Sequence, residues 1–96
     1  MRANLRLARA LDVAADLTRD DHAGLTAALE TAYLMVPTNL RPRSQWAMRD
    51  AVVRYYHGGR VTANEEVETF HLLRTMGEDE RARFLADAAD FYRGGN

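Results

Sequence analysis

Apolar residues recur every three to four positions along almost the whole chain, the spacing that stacks side chains on one face of an α-helix. No stretch alternates apolar and polar residues with the period of two that a half-buried strand requires. Leu7, Ala10, Leu11, Ala14 and Leu17 form one stripe, with Arg9, Asp12 and Asp16 opposite, and predict a first helix from about Ala3 to Thr18. A second stripe, Leu25, Ala28, Leu29, Ala32 and Val36, predicts a helix from about His22 to Val36, capped by Asp20 or Asp21. Pro37 ends it, because proline lacks an N–H and drives the residue before it out of helical geometry.

Thr38 to Arg43 reads as a loop. Ser44 is a good N-cap for a third helix, Gln45 to about His57, which Gly58 and Gly59 stop. Thr62-Ala63-Asn64-Glu65 has the form of a capping box, in which hydroxyl and carboxylate each satisfy an orphan backbone donor. The fourth helix then runs to Met76 and ends at Gly77. Glu78, Asp79 and Glu80 favour the N-terminus of a fifth helix that reaches Tyr92. Its apolar side is Phe84, Leu85, Ala88, Phe91 and Tyr92, and Arg83 and Asp87 are spaced as an ion pair on its wet side. Phe70, Phe84 and Phe91 are the expected large units of the core. Five short helices with brief connections make an all-α domain, a compact bundle or orthogonal array spanning residues 1–96 as one unit.

The third helix departs from the simple pattern because it is apolar on two sides. Met48, Ala51, Val52 and Tyr55 make a core stripe, and Trp46, Val53 and His57 lie nearly opposite, flanked by Arg49 and Asp50. A helix central to the array would bury both faces. A peripheral one would expose the second face as a patch of residue types enriched at binding hot spots.

Composition narrows the chemistry. Every one of the 13 basic side chains is arginine, so a Schiff-base or phosphate-loop lysine is excluded, and the absence of cysteine excludes disulfides and thiolate chemistry. The longest apolar run, Ala32 to Val36, is far short of the roughly 20 residues of a membrane span. Arg2, Arg6 and Arg9 among leucines faintly suggest a targeting segment. Asp12 and Asp16 continue the same amphipathic pattern, which favours a folded helix, and the expected location is the cytoplasm.

Charge layout points to a partner. The net charge is −1, yet residues 41–60 carry five arginines and one acid, whereas residues 61–92 carry three arginines and eight acids. The leading expectation is a small non-catalytic protein-binding module, an adaptor, inhibitor or regulator. Arg41, Arg43, Trp46, Arg49, Val53, His57 and Arg60 would meet an acidic protein surface. The partner could be a second copy, with the third helix paired across a two-fold axis. The runner-up is a DNA-binding regulator that uses Arg41, Arg43, Gln45 and Arg49. Against it stand the near-zero net charge and Glu65, Glu66 and Glu68 at the start of the fourth helix.

No metal, cofactor or catalytic group is expected. Glu68 and His71 have the E-x-x-H spacing of di-iron bundles, but one such motif is half a site, and both residues fall on the polar side of their helix. His22, at a helix start after two aspartates, reads as a charge-assisted contact.

Overall fold

The computed structural model describes residues 3–19, 24–43, 47–59 and 62–94. Five α-helices occur among them: α1 (Leu5–Arg19), α2 (Leu25–Met35), α3 (Ala47–His57), α4 (Ala63–Thr75) and α5 (Glu78–Tyr92). A 3₁₀ turn at Thr38–Leu40 lies between α2 and α3. No strand occurs among the described residues, and the all-α class read from periodicity is the class observed. None of these helices is long and apolar enough to cross a membrane. The predicted caps at Asp20, Asp21 and Ser44 and the contact at His22 lie outside the described residues.

The first and last helices make the most extensive interface of the fold. Ala8, Ala14 and Ala15 of α1 and Ala82, Ala88 and Ala89 of α5 are all buried. Methyl side chains let two helices run closer than leucines would, because the distance between axes follows side-chain size. The Asn4 N–H donates to the Tyr92 carbonyl at 2.6 Å, so the start of α1 lies against the end of α5 and the two run antiparallel. Gly94 completes the junction with φ of +96°; a Cβ there would stand 3.3 Å from that of Ala3, in a backbone region that L side chains avoid. The buried stripe of α1 is therefore wider than periodicity indicated. It adds Ala8, Ala15 and Thr18, whereas Leu17 is only partly buried.

α3 occupies the middle of the array and packs on α1, α2, α4 and α5. Met48, Ala51, Val52 and Val53 are all buried, so the helix is apolar on two sides because it has neighbours on two sides. Phe70 and Leu73 of α4 reach the same core. The Tyr92 hydroxyl, from α5, donates to the Ala51 carbonyl at 2.9 Å in the interior, giving a buried polar group its partner. Gly58, with φ of +77°, ends α3 in the left-handed turn expected of a helix stop.

Local signals decide most boundaries. The Asn4 side chain accepts from the Leu7 N–H at 3.1 Å and caps α1, a role the sequence reading did not assign. The Thr62–Glu65 capping box forms in full: the Thr62 hydroxyl accepts from the Glu65 N–H at 3.2 Å, and Glu65 Oε1 accepts from the Thr62 N–H at 3.2 Å. Two expectations need correction. Phe84 and Phe91 are half-buried rather than central: they lie at the margin of the core, where the half-buried Tyr55 of α3 packs edge to face against both. Arg83 and Asp87 are exposed and form no ion pair among the described residues; a cation N-terminal to an anion is the weaker order on a helix.

The alanine seam gives a direct test. Ala89→Leu should lower stability by about 1–3 kcal/mol through overpacking, whereas Ala27→Leu on the exposed side of α2 should change it by less than about 0.5 kcal/mol. Denaturant midpoints of the two variants decide the matter, and equal midpoints would mean the seam tolerates larger side chains.

Candidate functional site

The residues expected to form one binding patch fall in three different environments. Val53 is 0 % exposed and belongs to the core. Arg49 and His57 face α4. The Arg49 Nε lies 3.1 Å from Glu66 Oε1, and its guanidinium stands 4.8 Å from the centre of the Phe70 ring. The His57 Nε2 lies 2.7 Å from the Thr69 hydroxyl oxygen, and that hydroxyl itself donates to the Glu65 carbonyl at 2.7 Å. Thr69 has one proton to give, so His57 must be the donor and carry hydrogen on Nε2. Its Nδ1 then faces Glu65 Oε2 at 3.5 Å, and the His57 side chain is 23 % exposed. Trp46, Arg60 and Gln45 lie outside the described residues.

Arg41 acts on the chain itself. Helix α2 ends at an extended Val36 before Pro37, with no basic residue in its last turn. Its final carbonyls therefore need donors from elsewhere. Arg41 supplies them: Nε donates to the Val36 carbonyl and Nη2 to the Leu34 carbonyl, both at 2.8 Å. The guanidinium also stands 5.7 Å from the Tyr33 ring centre, and the Tyr33 hydroxyl donates back to the Pro42 carbonyl at 2.9 Å. Loop and helix end are clasped from both directions. Of the described candidates, Arg43 is exposed and makes no hydrogen bond or ion pair with a described residue.

That clasp sets the wall of a groove the sequence reading missed. A shallow depression lined by Leu5, Arg6, Arg9, Asp12, Leu40 and Arg93 shares Leu5 and Arg6 with a second one lined by Ala3, Asn4, Pro42, Arg43 and Ala47. Leu5 stands at their junction, 66 % exposed. Arg93 is engaged by Asp12 and Asp90. Arg6, Arg9 and Arg43 make no ion pair with any described carboxylate, and all three are exposed. The result is an apolar strip between unpaired guanidinium groups. Its signal in the sequence was Leu5, a leucine off the core stripe between Arg2 and Arg6. Its other wall is more than 30 residues away along the chain, where no local pattern connects the two.

A second surface has the opposite character. Tyr55 meets Phe84 and Phe91 with ring centres 5.4 and 5.3 Å apart, and Tyr56 lies 6.1 Å from Phe84. Burial, and then the charges of Asp87 and Asp90, push the Tyr55 hydroxyl above its ordinary pKa. Glu68 and His71 are both exposed, and no group of three potential metal ligands occurs among the described residues.

Two outcomes follow from this geometry. Arg41→Met should cost roughly 1–3 kcal/mol, since it leaves two helix-end carbonyls without charged donors; an unchanged unfolding midpoint would remove the clasp from the fold's support. The Thr62 backbone N–H and hydroxyl, and then His57, hold the Glu65 carboxyl below its usual range. A depressed carboxylate contributes stability above its unfolded pKa and loses it as pH falls through the folded value. The wild type should therefore exceed Glu65→Gln in melting temperature at neutral pH, with the gap closing in acid; a gap that stays constant would assign the difference to something other than charge.

No protein-family model, curated protein or solved structure matches the chain.

Proposed function

We propose that this chain is a non-catalytic protein-binding module, an adaptor, inhibitor or regulator, and that it takes an acidic partner in the groove between α1 and residues 37–43. The observation that carries the reading is the exposed Leu5 bordered by Arg6, Arg9 and Arg43, none of which is paired with a described carboxylate. Leu5 offers an apolar anchor, and its full burial is worth about 1.5–3 kcal/mol. The arginines add direction more than strength, because rim charges mainly raise the encounter rate and set orientation. The groove therefore suits a segment that presents an apolar side chain flanked by aspartate or glutamate.

Protein is favoured over nucleic acid by what the other arginines do. Arg41 directs its donors at backbone carbonyls and Arg49 is ion-paired with Glu66, and Glu65 and Glu66 stand on the α4 surface beside α3. A phosphate backbone there would meet carboxylates as well as guanidinium groups.

A displayed library of random peptides, selected on the immobilised protein, tests the reading. Expected binders carry an apolar residue between acidic ones and are lost with Leu5→Asp or with Arg6→Glu/Arg9→Glu. Both variants alter exposed positions and should keep the wild-type melting temperature. Binders indifferent to these changes would place the site elsewhere. Tight binding of a labelled DNA duplex, weakening steeply with salt, would favour the nucleic-acid alternative.

A further inference from the structure

The wall of the groove that carries Arg43 is a loop, and one hydroxyl from α2 fixes its far end. Residues 37–41 are held by their own turn: the Leu40 N–H donates to the Pro37 carbonyl at 2.7 Å, and the Arg41 N–H to that of Thr38 at 3.3 Å. The Arg41 guanidinium ties that turn to the Val36 and Leu34 carbonyls. Arg43 lies two residues further on, exposed and with no hydrogen bond or ion pair to a described residue. What reaches it is the Tyr33 hydroxyl, which donates to the Pro42 carbonyl at 2.9 Å. That oxygen belongs to the same planar peptide unit as the Arg43 nitrogen and Cα, so a bond to it also fixes where the Arg43 side chain starts. Pro42 adds stiffness: its ring locks its own φ and favours an extended Arg41 before it, observed at φ −70° and ψ 145°. Tyr33 is a firm anchor, because its ring packs partly buried against the core with the Arg41 guanidinium 5.7 Å from the ring centre.

We infer that the Tyr33 hydroxyl is a positioning group for the groove, holding Arg43 at the depression it shares with Arg6 so that both guanidinium groups meet one acidic segment. The inference rests on the groove being the acidic partner's site. Arg6 and Arg43 both line the second depression, and no carboxylate does so among the described residues. The first depression also holds Asp12, which Arg93 engages. An acidic side chain therefore meets positive charge alone at the Arg43 end. Arg6 stands on a helix and is placed by it. Arg43 stands on a loop, and a loop that must be ordered on binding loses affinity to the entropy of that ordering. Tyr33 lines neither depression, so it acts through the loop and not by touching the partner.

A double-mutant cycle tests this, read by fluorescence anisotropy of the tightest acidic peptide recovered from the display selection. Tyr33→Phe keeps the ring beside Arg41 and removes only the hydroxyl; Arg43→Ala removes the guanidinium. Circular dichroism checks that both single variants and the double variant are folded at the assay temperature. Arg43→Ala should weaken the peptide by about fivefold, the upper range for an exposed ion pair. Tyr33→Phe should weaken it by about threefold, through lost preorganisation. In the Arg43→Ala background, Tyr33→Phe should have no further effect, because the residue it places is gone. An equal loss in both backgrounds overturns the inference, since Tyr33 would then act by a route that does not involve Arg43. A Tyr33→Phe or Arg43→Ala variant that binds like the wild type overturns it too; if Leu5→Asp still abolishes that binding, the groove reading survives alone. A selection that yields no acidic peptide removes the groove and the positioning role together.

Discussion

The close approach of α1 and α5 is the constraint from which the rest of the fold follows. The two terminal helices pack against each other along their length, and each buries several alanines, Ala8, Ala14 and Ala15 on α1 and Ala82, Ala88 and Ala89 on α5, whose small side chains permit close packing. With first and last helices joined, the three between them must fold back over the pair, and α3 lies in the middle with neighbours on several sides. This explains why Val52 and Val53, adjacent in sequence and about 100° apart on the helix, are both fully buried. It also explains where the aromatic rings go. An alanine seam has no room for phenylalanine, so Phe84 and Phe91 sit on the flank of α5, where Tyr55 packs against both.

Arginine does structural work in this chain as well as surface work. Arg41 substitutes for the glycine or basic last turn that usually completes a helix C-terminus, reaching back across Pro37 to the Leu34 and Val36 carbonyls. Arg49 lies on the Phe70 ring and meets Glu66, joining α3 to α4. A cluster of positive charge in the sequence is therefore a poor guide to a basic surface. Once Arg41 and Arg49 are engaged, exposed arginines without an ion pair to a described carboxylate include Arg6, Arg9 and Arg43, drawn from two segments far apart in the chain, as well as Arg19 and Arg83.

Helix existence and type were legible because each helix carries its own signal: a 3.6-residue stripe, a proline or glycine stop, and at Thr62 a complete capping box. The two-sided character of α3 was legible too, although periodicity could not choose between a central helix and an exposed patch. That choice depends on what packs against the second face, a non-local fact. Neighbours in space supply it here: Thr69 and Glu65 for His57, and Phe70 and Glu66 for Arg49. The groove was illegible for the same reason, since Leu5 joins Leu40 and Pro42 only after α1 and α2 have packed. An off-stripe leucine at position 5 was the one trace of it.

Symmetry limits what such a groove can bind. In a two-fold dimer residue i of one copy meets residue j of the other and j meets i, so only residues at the axis face their own mates. A contact centred on Leu5 would bring Arg6, Arg9 and Arg43 towards the same arginines of the other copy, and like charges there oppose pairing. The proposed groove therefore favours a surface of opposite charge. The net charge of −1 conceals this local excess, because it sums over the whole chain, including the carboxylates that Arg49, Arg54 and Arg93 engage. The groove's position depends on the packing of α1 and on the Arg41 clasp that holds Leu40 and Pro42 beside it.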